Sequence, residues 1–218
     1  MSDFALARRN MLESQLRPNG VDDEALLAAM GSLPRERFLP ERLRGIAYVD
    51  EDVALGNGRS LMEPLILARL VQLARVGKTD RALDVGCGTG YATALLANLA
   101  QAVVGLECDH AVASGTEQRL RELGIKNAWV VEGPLEAGYA PRAPYDVILL
   151  GGAVEVVSSA VAGQLAEGGR LVTVIRAPGA IGRTTVITKT NGVLATRSIN
   201  DAATKALPGF ERPKEFAF

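Results

Sequence analysis

The chain is poor in the residues that most often bind metals or form covalent intermediates. Its 218 residues include one histidine and two cysteines. The histidine, His110, stands at the start of a predicted helix, and neither a zinc site nor a Ser-His-Asp or Cys-His arrangement can be built around it. The cysteines, Cys87 and Cys108, lack metal-ligand spacing. We therefore expect no metal, and a reduced cytoplasmic protein without disulfides.

The sequence also lacks a charge excess and long apolar runs. Its 24 basic residues nearly balance its 25 acidic residues, which gives a formal net charge of -1. This balance argues against nucleic acid as a partner. Arginine or glutamine interrupts the apolar runs, so no membrane span is predicted. With 48% hydrophobic residues, the chain can bury a substantial core, and we predict a single domain over residues 1–218.

The most informative segment is Leu83–Gly90, a glycine-rich turn that follows an apolar run. It contains an acid, Asp84, and leads into an alanine-rich helical segment, Tyr91–Ala100. Glycines let the backbone approach a ligand closely, and the helix that follows presents free N–H groups to it. A second acid, Glu107, ends the next apolar run about 20 residues later, where α/β folds hold ribose hydroxyls. This order of elements predicts a cofactor site.

Alternating strands and helices from residue 81 onward predict an α/β fold with a doubly wound, mainly parallel, Rossmann-like sheet. Residues 1–75 are predicted to form an N-terminal helical cap with an extended segment, Tyr48–Asn57, and residues 76–218 the cofactor-binding core and a β-rich tail. Asn191-Gly192 between two β-rich runs predicts a C-terminal β-hairpin. The predicted core strands and two of the helices between them are Ala82–Val85, Ala102–Leu106, Ala128–Glu132, Asp146–Leu150, Arg170–Ile175, His110–Leu123 and Val156–Leu165.

The pattern Asp-x-Gly-x-Gly-x-Gly differs from the dinucleotide fingerprint and resembles motif I of the S-adenosylmethionine-dependent methyltransferases. In that family the loop wraps the amino-acid end of the cofactor, and the second acid takes both ribose hydroxyls. The resemblance implies a set of cofactor contacts along three strand ends. They are Asp84, Gly86, Cys87, Gly88, Gly90, Glu107, Cys108, Gly133 and Pro134.

The cap narrows this resemblance to the protein-L-isoaspartate O-methyltransferases. The matching segments include a Pro-Arg-x-x-Phe-x-Pro turn and lie at Met11–Leu16, Leu33–Pro40, Ala47-Tyr48 with Asp50, Pro144–Ile148 and Leu165–Val172. The final segment, ending at Phe218, matches loosely. The resemblance implies a Rossmann-like methyltransferase, S-adenosylmethionine as cofactor without a metal, and methylation of the α-carboxylate that isoaspartyl residues expose in damaged proteins. A carboxylate is ionised at neutral pH, so no general base is needed.

One departure from the family pattern falls on the catalytic segment. The family signature is Gly-Gln-Thr-Ile-Ser-x-Pro, and this chain has Gly58–Pro64 instead, with Met62 in place of the serine. A thioether cannot donate a hydrogen bond to a carboxylate. Ser60 lies on the same side of an extended segment and supplies the hydroxyl at a displaced position, or else it simply fills the threonine position. Arg59 is a fork-shaped donor for a carboxylate and offsets the charge of Glu63.

A second departure falls on the adenine side, where the family has Gly-Asp-Gly and this chain has Gly133-Pro134 followed by leucine. Proline offers neither a side-chain acceptor nor a backbone N–H, so we expect weaker cofactor binding.

Three functions stay open at this point. They are isoaspartyl methylation, methylation of another acceptor on the same scaffold, and non-catalytic binding of an adenosyl ligand or a partner. The expected partners are isoaspartyl proteins or peptides, with no nucleic acid or membrane, and the expected assembly is a monomer or weak dimer.

Overall fold

The computed structural model describes residues 3–56 and 58–212, and it begins with the predicted helical cap. Helix α1 spans Phe4–Asn10 and continues as a π-helical turn over Met11–Leu16, and helix α2 spans Glu24–Ser32. Both helices begin after an aspartate that acts as N-cap. The side chain of Asp3 accepts a hydrogen bond from the N–H of Leu6, and that of Asp23 accepts from the N–H groups of Ala25 and Leu26. Two short 3₁₀ segments, Arg35–Phe38 and Glu41–Ile46, complete the cap.

A small hairpin connects the cap to the core. Strand β1, Val53–Gly56, pairs antiparallel with β2, Arg59–Leu61. The predicted extended segment Tyr48–Asn57 is therefore a strand only from Val53 onward, and Asn57 itself lies outside the described residues. Helix α3, Pro64–Ala74, follows with the proline at its first position, where a missing N–H costs nothing.

Seven strands of the described chain form one sheet, which confirms the predicted Rossmann-like fold. The order is β5-β4-β3-β6-β7-β8-β9, parallel from β5 to β7 and antiparallel from β7 to β9. The strands are β3 Arg81–Val85, β4 Ala102–Glu107, β5 Ala128–Glu132, β6 Tyr145–Val154, β7 Leu165–Ile175, β8 Arg183–Thr190 and β9 Val193–Asp201.

Both faces of the parallel part of the sheet are covered, because successive residues of its strands point to opposite sides. In β4, Val103 packs into one buried cluster and Val104 into the other, and Leu149 and Leu150 in β6 divide in the same way. The first cluster includes the buried faces of α2, α3 and the helix α4, Tyr91–Leu99. The continuous apolar runs in the sequence are thus central strands.

Two helices pack later in the chain, α5 over His110–Glu122 and α6 over Ser159–Gly163. The prediction of a helix over Val156–Leu165 was wrong at both ends. The backbone N–H groups of Glu155 and Val156 donate to the carbonyl of Phe210, and the hydroxyl of Ser158 caps the helix that follows. Contacts with a distant segment therefore fix the chain before α6 in a non-helical conformation.

The predicted C-terminal hairpin is confirmed as β8 and β9. Asn191 and Gly192 both have positive φ, +52° and +76°, as the tight hairpin turn requires. Glu167 accepts hydrogen bonds from both of their backbone N–H groups and so holds this turn against the start of β7.

Candidate functional site

The glycine loop lies at the point where the order of the sheet reverses. From β3 the chain adds β4 and then β5 on one side, and then returns to place β6 on the other side. Ligands of open α/β sheets bind in the crevice at the carboxyl ends of the strands at such a point. Gly86 and Gly88 have φ of +76° and +54°, which side chains rarely adopt. The loop is anchored to β4, since the N–H groups of Gly86 and Cys87 donate to the carbonyl of Leu106 at 2.8 and 3.0 Å.

Gly90 has a packing role in the same loop. A Cβ atom at this position would lie 2.6 Å from Cγ2 of Thr116 on α5. The close approach lets α4 start directly after the loop, and the hydroxyl of Thr116 donates to the carbonyl of Gly88 at 2.5 Å. Gly90 therefore positions the loop and does not line the cavities described below.

Asp84 is completely buried near the end of β3, two residues before Gly86. Its Oδ2 accepts a hydrogen bond from the hydroxyl of Thr93 at 2.6 Å, whereas Oδ1 has no hydrogen-bond partner among the described residues. Burial raises the pKa of this carboxyl to about 7, and the nearby charge of Glu107 acts in the same direction. The hydroxyl of Thr89 is likewise buried without a partner in the described structure. Such atoms indicate a polar ligand in this crevice, because unpaired buried polar groups are costly.

Glu107 ends β4 across the loop from Asp84, with 1% of its surface exposed. Its Oε2 accepts from the backbone N–H of Gly88 at 2.9 Å and from Nη2 of Arg59 at 2.6 Å. Its Oε1 accepts from the N–H groups of Cys108 and Asp109 at 2.9 and 3.4 Å. These contacts fix the carboxylate beside the glycine loop.

The two cysteines are free thiols on either side of this carboxylate. Cys87 is buried in the loop and Cys108 follows Glu107. Burial raises the pKa of each thiol, and the Glu107 charge raises it further. Neither is therefore suited to act as a nucleophile, which requires a thiolate.

Two cavities flank the loop. The larger, about 270 Å³, lies beside Glu107 and Cys108 and is also lined by Arg59, Gly88 and Thr89. The smaller, about 30 Å³, lies on the Asp84 side. Its lining includes predicted site residues from both the loop and the catalytic segment. These are Ser60, Met62, Asp84, Gly86, Cys87 and Gly88.

Gly133 and Pro134 line neither of these cavities. The N–H of Gly133 donates to the backbone carbonyl of Glu107 at 3.0 Å, and Pro134 leads into a short 3₁₀ turn. The segment thus lies next to the larger cavity along the sheet edge without contributing to its lining.

The catalytic segment approaches the loop from the β1–β2 hairpin. Arg59 does not point toward Glu63: its Nη2 binds Glu107 and also donates to the carbonyl of Gly86 at 3.0 Å. The hydroxyl of Ser60 donates to Oδ2 of Asp52 at 3.3 Å. Met62 is buried, and its carbonyl accepts from Nη2 of Arg35 at 2.6 Å.

Glu63 was expected to be fully ionised at neutral pH, and its surroundings in the structure oppose this. Its side chain is half-buried near Asp50 and Asp52, and burial followed by these charges raises its pKa to about 7. Burial thus weakens the negative charge that Glu63 carries near neutral pH.

Sequence reasoning missed Asp52. Its Oδ1 accepts from the N–H of Glu63 at 2.8 Å, and its Oδ2 accepts from the hydroxyl of Thr204 and the N–H of Lys205 at 2.7 and 3.0 Å. One carboxylate thereby joins the hairpin, the start of α3 and the C-terminal segment. Nothing in the acidic run 50–52 distinguishes it from its neighbours.

The C-terminal segment is a second missed contributor. The N–H of Leu207 donates to the carbonyl of Ala153 at 2.7 Å, which holds the segment at the end of β6. A Cβ atom at Gly86 would lie 2.4 Å from Cδ1 of Leu207, and Pro208 lines the larger cavity. The glycine at position 86 is thus required by packing as well as by its positive φ.

No described helix has both the length and the apolar character needed to cross a bilayer. No group of three or more histidine, cysteine or acidic side chains in the described ranges is arranged to hold a metal ion.

Comparison with known proteins identifies the family. The family model described as Protein-L-isoaspartate(D-aspartate) O-methyltransferase (PCMT) matches residues 7–203. A relative from Anaeromyxobacter sp. (strain Fw109-5), Protein-L-isoaspartate O-methyltransferase 2, is 38% identical over 84% of this chain and 75% of its own length. The Protein-L-isoaspartate O-methyltransferase of Koribacter versatilis (strain Ellin345) is 39% identical over 82% of this chain and 80% of its own length.

Solved structures agree at the level of the fold. A protein-L-isoaspartate O-methyltransferase superposes with a TM-score of 0.82 over 93% of this chain, at 24% identity, and this chain spans 66% of that chain's length. A Plasmodium falciparum protein assigned to the same enzyme class gives a TM-score of 0.77 over 92% of this chain and 97% of its own, also at 24% identity. The family model over residues 7–203 and the relatives at 38% and 39% identity show that the chain belongs to the protein-L-isoaspartate(D-aspartate) O-methyltransferase family.

Proposed function

We propose that this protein transfers a methyl group from S-adenosylmethionine to the α-carboxylate of isoaspartyl residues in damaged proteins. The observation that carries the proposal is the position of Asp84, the glycine loop and Glu107 around one crevice at the switch point of the sheet, in a chain of this family. The Plasmodium falciparum protein with the same fold was crystallised with S-adenosyl-L-homocysteine, the product of such a transfer.

The residues of the crevice fit this cofactor. The unpaired Oδ1 of Asp84 is suited to the cofactor's ammonium group, and Glu107 is suited to its ribose hydroxyls. Gly86 and Gly88 leave the loop backbone open to close approach. When bound, S-adenosylmethionine supplies an electrophilic methyl group. Asp84, Glu107 and the loop would orient it toward the segment that contains Ser60 and Met62.

The acceptor needs no activation by the protein, because its carboxylate is already ionised at neutral pH. The chain's contribution is therefore to hold the acceptor in line and to exclude water. The small cavity lined by Met62, Ser60 and Asp84 marks where the acceptor would meet the methyl group. We assign Ser60 and Met62 to the acceptor side of the site, whereas the guanidinium of Arg59 binds Glu107 on the cofactor side.

One observation favours a second candidate, methylation of a different acceptor. The hydroxyl of Ser60 is directed to Asp52 and not into open space, and Glu63, Asp50 and Asp52 place acidic groups next to the catalytic segment. Such surroundings suit a neutral or cationic acceptor better than an anionic one.

The test is transfer of labelled methyl from S-adenosylmethionine to a peptide with one isoaspartyl residue, with the same peptide containing normal aspartate as the matched control. We expect labelling of the isoaspartyl peptide only. Absence of labelling above background at millimolar peptide would contradict isoaspartyl methylation. Labelling of another acceptor in a parallel screen would then establish the second candidate, and cofactor binding without any transfer would indicate a binding protein.

A further inference from the structure

Arg59 occupies the cofactor half of the crevice. Its side chain is 14% exposed, and its Nη2 lies 2.6 Å from Oε2 of Glu107 and 3.0 Å from the carbonyl of Gly86. The same nitrogen lies 3.4 Å from where a Cβ atom of Gly86 would stand and 3.8 Å from that of Gly88. The guanidinium therefore lies directly on the open side of the glycine loop.

Glu107 has no acceptor position left in this arrangement. A carboxylate has about four lone-pair positions, two on each oxygen. Here Oε2 accepts from Gly88 and Arg59, and Oε1 accepts from Cys108 and Asp109. Three of these donors are backbone N–H groups of the loop and strand end, which cannot move away separately. The other two donors are on side chains that can rotate: Nη2 of Arg59, at 2.6 Å from Oε2, and the thiol of Cys108, at 3.5 Å from Oε1.

We propose that Arg59 competes with the cofactor for Glu107, so that binding requires the Arg59–Glu107 ion pair to break. Two ribose hydroxyls need one acceptor position on each oxygen of Glu107. Arg59 takes the position on Oε2 at 2.6 Å, whereas on Oε1 the contacts with the Cys108 thiol and the Asp109 N–H are long, at 3.5 and 3.4 Å. The inference rests on the proposed function, because it assumes that an adenosyl cofactor uses Glu107. It makes Arg59 a determinant of cofactor affinity.

The family signature supplies the natural substitution for a test, since it has glutamine where this chain has Arg59. Glutamine is uncharged and shorter than arginine, so it would leave Glu107 to the ligand. The loop also offers a matched control. Arg119 donates from α5 to the carbonyl of Thr89 at 2.9 Å, so Arg119→Gln removes a positive charge bound to the same loop without changing the donors on Glu107.

The experiment is calorimetric titration of the full chain with S-adenosylhomocysteine, which binds without turnover. We expect Arg59→Gln to bind about tenfold tighter than the parent, as for the loss of one competing charge-assisted contact. Arg119→Gln should not bind tighter than the parent. Arg59→Lys keeps the charge without the fork and is expected to gain no more than about threefold. If Arg59→Gln does not fold, Arg59→Lys still tests the inference, because weaker binding of S-adenosylhomocysteine by Arg59→Lys than by the parent would overturn it.

The outcomes separate this inference from the proposed function. Equal or weaker binding by folded Arg59→Gln, with clear binding by the parent, overturns the role of Arg59 and leaves the proposed function intact. An equal gain in Arg119→Gln overturns it as well, because the effect would then be one of net charge. Absence of binding in both the parent and Arg59→Gln at millimolar ligand overturns both proposals.

Discussion

At the scale of single residues, Met62 is the departure with the sharpest chemical consequence. It lines the small cavity together with Ser60 and Asp84, so it stands where the crevice meets the acceptor side. Its thioether fills space without donating a hydrogen bond. The family serine at this position would offer a donor to a carboxylate. The hydroxyl of Ser60 donates to Asp52 and would have to leave that contact to replace it.

We predict that Met62→Ser raises kcat on an isoaspartyl peptide by about tenfold, as for one added hydrogen bond to a charged group. It should also lower stability, because removal of a buried methionine side chain costs about 2–5 kcal/mol. Met62→Ala is the matched control, since it opens the same space without a hydroxyl. Steady-state kinetics and urea unfolding on the three proteins test this. A gain in kcat that Met62→Ala shares would assign the effect to space and refute a role for the hydroxyl.

The residue scale also shows what the sequence could and could not predict about the site. Asp84, Gly86 and Glu107 could be located because local order determines them: a strand, a turn with positive φ, and the end of the next strand. The partner of Arg59 could not, because the arginine reaches across 48 positions to Glu107 through a hairpin whose placement depends on the cap. Asp52 was missed for the same reason, since its contacts with Thr204 and Lys205 join distant segments.

At the scale of elements, the side chain of Asp52 connects three segments that are distant in the sequence. Its two oxygens accept hydrogen bonds from β2, from the start of α3 and from the segment that follows β9. Two of these donors are backbone N–H groups, which need acceptors when partly buried. The hairpin that contains Arg59 and the segment that contains Leu207 are thus held by the same carboxylate.

We expect Asp52→Ala to destabilise the protein by about 2–4 kcal/mol, because several donors lose a charged acceptor at once. The segments that Asp52 joins should open more often than the rest of the sheet does. Hydrogen exchange measured by mass spectrometry should show faster exchange in 53–61 and 202–207 than in β3 or β4. Glu51→Ala, at the exposed neighbouring acid, is the control and should leave both regions unchanged. Uniform faster exchange over the whole sheet would contradict the local role of Asp52.

The boundaries of the helices could be predicted where the local sequence sets them and not where a distant contact does. The helices α3 and α5 were located because their own sequences begin them, with Pro64 at the first helical position and the Asp109 side chain as N-cap. The start of α6 was not, because hydrogen bonds from Glu155 and Val156 to the distant Phe210 oppose a helix that the local sequence favours. Local propensity is a weak prior where a tertiary contact competes with it.

At the scale of the whole molecule, the crevice is completed by parts from both ends of the chain. The cap hairpin covers one side of the glycine loop, and the C-terminal segment covers the other by pairing Ala206 with Ala153 at the end of β6. Enclosure of this kind excludes water from a methyl-transfer site. It also buries carboxyl groups that would be more stable in water when ionised, so the same architecture makes folding sensitive to pH.

Two carboxyls determine the sign of that sensitivity. Burial raises the pKa of Asp84 from 3.8 to about 7 and that of Glu63 from 4.5 to about 7. A group whose pKa is higher in the folded state holds its proton more tightly there, so the stability it contributes is complete below the unfolded value. That contribution is lost as the pH rises through about 7. We therefore predict that the free energy of unfolding falls between pH 5 and pH 8.

Asp84→Asn isolates the larger part of this effect. The amide oxygen can still accept from Thr93, while the cost of burying a charge disappears. We expect the variant to exceed the parent at pH 8 by up to about 4 kcal/mol, which corresponds to a shift of about three pKa units, and by little near pH 4. Glu24→Gln serves as the control: Arg17 lowers the pKa of that exposed carboxyl, so the variant should gain no stability at pH 8. Urea unfolding from pH 4 to 8 measures all three proteins. A parent whose stability rises toward pH 8, or an Asp84→Asn variant that gains nothing there, would contradict the assignment of the pH dependence to this buried acid.

Because Asp84 is also the proposed partner of the cofactor's ammonium group, the stabilised variant should bind S-adenosylhomocysteine more weakly.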